Sequence, residues 1–270
     1  MAPPPASSSS LPLPLSLPLL VLALATAATL CTAVVDIVEH TPEYIRPCPR
    51  KDPNANGCIR ELFQHMFPYL AKGIPEIGVA PYEPLRIPRL ALSKGQGAVL
   101  ISGSFSDIVV RGPSNATTTF GRLDTEQQRL EFGLQIPDLR LEGNYDLKGH
   151  ILLLPLVGNG RATLRLGNTT TTVSTRYVVD SVRGRDVMRI VTMKVDFTVA
   201  SMHIHLYNLF NGNKVLGHTL NTFLNKNGQE VLADLEEPLG EALSEVFIDL
   251  VNQIFTHIPL DIWLPSGGSR

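Results

Sequence analysis

Residues 239–258 read LGEALSEVFIDLVNQIFTHI, and their apolar positions set the fold. Leu239, Leu243, Val246, Phe247, Leu250, Val251, Ile254, Phe255 and Ile258 recur at steps of three and four, the spacing of one helical face. A stripe this long must be buried against something, and the chain before it reads as alternating strands. The combination predicts a curved sheet closed around a helix and an apolar interior.

The strands carry their own signal. Leu130, Phe132, Leu134 and Ile136 alternate with polar or small residues, as in a sheet with one wet face. Across Pro137-Asp138 the phase slips, and Leu139, Leu141, Tyr145 and Leu147 take the apolar side. A second slip separates Val191, Met193, Val195, Phe197 and Val199 from Met202, Ile204 and Leu206. An inserted residue of this kind bulges and curls a sheet. Gly158, Gly160, Gly167 and Gly184 read as turns or bends. Ile59, Leu62, Phe63, Met66, Phe67 and Leu70 share a helical face, bent at Pro68 and ended by Gly73. Pro75, Pro81, Pro84 and Pro88 make residues 73–89 an extended connection. A short helix holds Leu216, Leu220, Phe223 and Leu224. The predicted class is α+β, a long C-terminal helix wrapped by a highly curved antiparallel sheet.

The first 35 residues carry no charge. Leu11 to Val35 is long enough to raise a membrane span, but Pro12, Pro14 and Pro18 break a helix there, so residues 1–33 are read as a secretory signal peptide. An uncleaved anchor is the alternative. Cleavage after Ala33 removes Cys31 and leaves Cys48 and Cys58, which in an oxidising compartment pair as one disulfide. Cleavage after Ala27 leaves Cys31 unpaired; in a cytosolic protein both remaining thiols are free. The sequons at Asn115 and Asn168 agree with secretion and predict surface glycosylation, the second in an exposed turn. Residues 34–270 then form a single domain, since no linker or charge block divides them.

Net charge is −2 with both signs interspersed, which gives no electrostatic footprint for nucleic acid. Charged residues are 18% of the chain and apolar ones 44%, enough for a core plus a lined cavity. Catalytic constellations are scarce. Gly112-Pro113-Ser114-Asn115-Ala116 lacks the final glycine of a hydrolase nucleophile elbow and reads as a surface turn. His203 and His205 share one side of a strand as two metal ligands do, but the phase of Met202, Ile204 and Leu206 turns them outward, and no third ligand stands nearby. His40, His65, His150, His218 and His257 are isolated. Gly158-Asn159-Gly160 runs into strand rhythm, which sets dinucleotide binding aside. The reading is a non-enzyme with no cofactor and no metal.

The order of Cys48 and Cys58, then Gly73-Ile74-Pro75-Glu76-Ile77-Gly78, then Glu83-Pro84-Leu85, resembles the amino-terminal half of the insect takeout and haemolymph juvenile hormone binding protein family. Leu224-Asn225-Lys226-Asn227 with Glu230-Val231, and Asn252-Gln253-Ile254-Phe255 with Ile258-Pro259 and Leu264-Pro265, are similar to its closing signature. The resemblance implies the tubular lipid-binding (TULIP-like) fold and a secreted carrier of terpenoids or fatty acids, with circadian-controlled expression. Glu83 stands where the family commonly has aspartate, and Gly228 where it commonly has tryptophan. One available disulfide places the chain nearer the takeout branch.

A chain of fifteen or so carbons buried in such an interior gains on the order of 10 kcal/mol at ~0.8 per methylene, before immobilisation. Phe132, Leu134, Leu141, Tyr145, Met193, Val195 and Phe197 on the sheet, with Phe247 and Val251 on the helix, are the expected ligand-binding lining, Tyr145 supplying a polar contact. Each also fits plain core packing. The expected partner is a hydrophobic small molecule such as juvenile hormone or a fatty acid, bound by a monomer with no nucleic acid and no stable membrane insertion. The alternative is a secreted interaction or defence protein that binds microbial lipid or a protein surface.

Overall fold

The computed structural model describes residues 37–50 and 52–266. The signal-peptide segment, residues 1–33, lies outside them. Helix α1 (Ala55–Lys72) carries its apolar face as expected, with Pro68 inside it; Gly73 at φ 84° ends it, its N–H donating to the Leu70 carbonyl. Glycine is suited there because that φ burdens a side chain. Cys48 and Cys58 form a disulfide that ties the N-terminal segment to α1.

The described residues form one six-stranded antiparallel sheet. Its strands are β1 (Leu85–Lys94), β2 (Val99–Arg111), β3 (Thr117–Asp124), β4 (Arg129–Ile151), β5 (Leu154–Val182) and β6 (Arg185–Leu206). The order is β1-β2-β4-β5-β6, with β3 pairing β4 beyond the end of β2. β1 therefore begins inside the proline-rich connection. Pro88 is tolerated because β1 is an edge strand, where a missing N–H costs no ladder bond on the open side.

The slip at Pro137 is more organised than a bulge. Ile136 pairs Thr169 and Asp138 pairs Gly167, so the β4–β5 register is the same on both sides. Gly167 in turn pairs Ser201, and Thr169 pairs Val199. All three strands change phase together along the row Pro137, Asn168, Ala200, with Asn168 at φ 48°. The sheet is creased across its width rather than slipped. Asn168 is exposed but lies in mid-strand at this crease, not in a turn. A true bulge occurs between Arg176 and Tyr177, opposite Val191, so Ile190 is buried and Val191 exposed. β2 bulges likewise between Ser106 and Val109.

Helix α2 (Lys214–Lys226) is capped by Asn213, whose side chain accepts from the Val215 and Leu216 amides. Helix α3 (Gly228–Phe255) begins eleven residues before Leu239, its start hidden in the sequence by Pro238. Proline at that position withholds a donor from the Asp234 carbonyl. The Lys94 ammonium from β1 donates to that same carbonyl, so the helix runs through. A short helix, α4 (Leu260–Trp263), follows.

α3 packs on β6 and also meets β1, the two edges of the sheet. Its closest approach is made by small residues. A Cβ on Gly240 would stand 2.4 Å from the Val195 carbonyl oxygen, and Ser244 is buried beside it. The outer edge of β6 is covered by amide side chains. Asn221 bonds both backbone groups of Leu206, Asn225 both of Ile204, and Asn252 both of Ile190. An edge with paired N–H and C=O groups offers nothing to another strand.

Three buried apolar clusters pack the interior, Ile87, Leu90, Ile108 and Val110 forming one on β1 and β2, and the other two forming cores at the ends. Of these end cores, one gathers Ile59, Leu62 and Met66 of α1 with Leu130, Met188, Ile190 and Trp263. The other gathers Ile101, Tyr145, Leu147 and Ile151 with Leu220, Leu224 and Val231. Among the described residues no helix is long and apolar enough to cross a membrane.

Candidate ligand-binding site

Between the two cores the sheet and α3 enclose a cavity of about 930 Å³. Its walls follow from the alternation already described: inward rows of β4, β5 and β6 form one side, and the α3 stripe Leu239, Leu243, Phe247, Leu250 and Ile254 forms the other. Because α3 meets the sheet through Gly240 and Ser244, its larger side chains are left beside the contact and face the void. These inward residues are half-buried where a filled core would bury them, Phe132, Leu134, Leu141, Met193, Phe197, Phe247 and Val251 among them. Val195 is buried and also borders the cavity.

Eight of the nine lining candidates thus stand on the cavity wall. The ninth, Tyr145, does not. It is 3% exposed, packs in the core at the β4–β5 hairpin end, and donates its hydroxyl to the Tyr207 carbonyl at 2.6 Å. Burial pushes its phenol up to about 12. With its proton committed to a backbone acceptor 62 residues away, it offers no free contact to the cavity.

The segment from Val79 to Pro84 closes another part of the wall. It is pinned at several points: Val79 bridges Ile74, the Tyr82 N–H donates to Leu70, and the Tyr82 hydroxyl to Phe67. Burial, and then the charge of Glu83, push the Tyr82 phenol upward, which keeps it a donor. Glu83 holds the turn Pro113–Asn115 against this segment, accepting from the Gly112 N–H, the Ser114 N–H and the Ser114 hydroxyl. Burial opposes ionisation of Glu83, but these bonds and Arg111 outweigh it, so the carboxyl sits below its ordinary range. Gly228 packs against the Met202 methyl, which a Cβ would approach to 2.8 Å.

The other polar groups singled out in the sequence lie elsewhere. His203 and His205 are exposed on the outer face of β6, His205 against Tyr207. Asn115 is exposed in its turn. The β5 wall is made by Leu164, Leu166, Thr169, Thr171 and Val173, and over the threonine run 169–172 no alternation marks which residues face inward.

The family model for haemolymph juvenile hormone binding protein matches residues 19–265. The chain belongs to this family. Among curated proteins it is similar to circadian clock-controlled protein daywake of Drosophila melanogaster, 27% identical over 84% of this chain and 89% of that one. The daywake of Drosophila yakuba is 24% identical over the same shares. Among solved structures, Takeout 1 of Epiphyas postvittana superposes with a TM-score of 0.70 at 25% identity, covering 80% of this chain and 97% of that one. The insect takeout and juvenile hormone binding group is one of carriers of hydrophobic ligands, and the fold is of its tubular type.

Proposed function

We propose that this protein is a secreted, non-enzymatic carrier that holds one hydrophobic small molecule, a terpenoid such as juvenile hormone or a fatty acid, in the cavity beside α3. The observation that carries the reading is the cavity itself: about 930 Å³ bordered by inward-facing apolar side chains from β4, β5, β6 and α3. A void of this size without a ligand forfeits dispersion contacts over its whole wall, and an apolar guest restores them. Phe132, Leu134, Leu141, Met193, Val195, Phe197, Phe247 and Val251 are the proposed contacts.

Secretion after removal of residues 1–33 accords with the Cys48–Cys58 bond and with exposed Asn115 and Asn168 as glycan acceptors. The carrier acts as a monomer. Clock-controlled expression follows the daywake relatives. The test is displacement of the fluorescent probe 1-N-phenylnaphthylamine from purified protein by a sesquiterpenoid ester and by palmitic acid. One-to-one displacement by at least one of them is expected; failure of the probe and both lipids to bind overturns the reading.

A further inference from the structure

Two threonines that border this apolar cavity have hydroxyls without a partner. Thr169 and Thr171 are inward residues of β5, the strand flanked by β4 and β6, and both border the void. Thr169 lies between Ile136 and Val199, and Thr171 between Leu134 and Phe197. Thr169 is 4% exposed and its Oγ1 is buried with no hydrogen bond. Thr171 is half-buried, and no side chain or backbone group among the described residues bonds its hydroxyl. Thr175, further along the same row, shows the contrast, since its hydroxyl donates to the Leu130 carbonyl at 2.9 Å. A buried hydroxyl without a partner costs free energy that an acceptor placed beside it recovers. Rotation of Thr169 about χ1 between staggered wells exchanges its methyl with Oγ1 at the wall.

The charges around the cavity decide which acceptor fits. Glu83, Arg86 and Glu142 are the charged residues at its border among the described residues. Glu83 is engaged by Gly112 and Ser114, and Glu142 pairs with Arg161 at 2.6 Å. Arg86 is exposed and precedes the buried Ile87, which puts it on the outer side of the alternation. A carboxylate drawn to the middle of β5 would lose its hydration and meet no counter-charge.

We propose that Thr169 and Thr171 form a polar subsite that donates to the oxygen of a neutral lipid, an ester, ketone or alcohol, in preference to a free carboxylate. This rests on the carrier reading and narrows its ligand class. The experiment measures displacement of 1-N-phenylnaphthylamine at pH 7.5 by methyl palmitate, palmitate and octadecane, from the wild type, from Thr169→Val/Thr171→Val and from Thr169→Ser/Thr171→Ser. The wild type is expected to hold methyl palmitate more tightly than palmitate. The valine pair is expected to lose about fivefold or more for methyl palmitate, the worth of one to two net hydrogen bonds, with octadecane unchanged. The serine pair should keep the ester affinity. Thr171→Val alone provides the same comparison should the double variant fold poorly. Unaltered ester affinity in the valine variants, an equal loss for octadecane, or a wild-type preference for palmitate overturns the subsite. Failure of the wild type to bind the probe or any of the three lipids overturns the carrier reading instead.

Discussion

The side-chain amide of Asn252 holds both backbone groups of Ile190: Oδ1 accepts from the Ile190 N–H at 2.8 Å, and Nδ2 donates to the Ile190 carbonyl at 3.0 Å. The pairing fixes the C-terminal part of α3 to the free edge of β6. Asn225 and Asn221 on α2 repeat it at Ile204 and Leu206. Each amide mimics one rung of a strand ladder, so the helices are registered on the sheet by hydrogen bonds while apolar side chains remain free to face the cavity.

Replacing Asn252 therefore strands two backbone groups at once. Asn252→Leu should lower unfolding free energy by about 3 kcal/mol, and Asn252→Asp should also destabilise, since a carboxylate faces the Ile190 carbonyl with no donor. Chemical denaturation of the purified variants checks both; stability within 0.5 kcal/mol of wild type, on the usual scale for neutral surface changes, would contradict the role given to the amide.

Two glycines in helices should respond with opposite signs. Gly217→Ala meets only ordinary contact with Leu209 at 3.6 Å and gains helix propensity, so stability should rise by roughly 0.5–1 kcal/mol. Gly240→Ala brings a methyl onto the Val195 carbonyl, and should lose about 1–3 kcal/mol despite the same propensity gain. Thermal unfolding of the two variants side by side reads the difference.

Filling the cavity should separate binding from stability. Leu243 is half-buried on α3 at the wall, so Leu243→Trp grows into the void and not into packed core. Lipid affinity should fall at least tenfold while the melting temperature stays within a few degrees, about what a change under 1 kcal/mol produces. Titration and melting of the same preparation supply both readouts.

Glu83 gives a pH dependence of fixed sign. Its carboxyl is depressed in the folded chain, so its contribution is fully present above the ordinary value of about 4.5 and is lost as pH falls through the lower folded value. Glu83→Gln should flatten the loss of thermal stability on acidification below that point. An identical acid profile in the variant would show that the Gly112 and Ser114 bonds contribute nothing through charge.

Much of this architecture can be read from alternation alone. Leu130 through Ile136 and Leu139 through Leu147 announce their inward rows because apolar and polar residues trade places every second position, and the helical stripe from Leu239 is equally plain. Tyr145 marks where that reading stops: an inward phase does not distinguish a cavity wall from packed core, and its acceptor, the Tyr207 carbonyl, is distant in sequence. Alternation predicts Val191 in the inward row, but the bulge opposite Arg176 and Tyr177 turns Ile190 inward instead. The Thr169–Thr172 stretch of the β5 wall is silent because the four residues are alike in polarity, so no contrast reveals which of them faces the void. The first third of α3 is obscured by Pro238, which gives the Asp234 carbonyl no helical donor and leaves it to Lys94 of a remote strand.

Native mass spectrometry of the protein secreted from insect cells, followed by organic extraction of the same sample, bears most directly on whether the interior carries a guest. One lipophilic molecule per chain, lost on extraction and at reduced occupancy in Leu243→Trp, is the expected result. A chain that runs at its bare mass before extraction, and still does after incubation with sesquiterpenoid esters and fatty acids, would contradict the account.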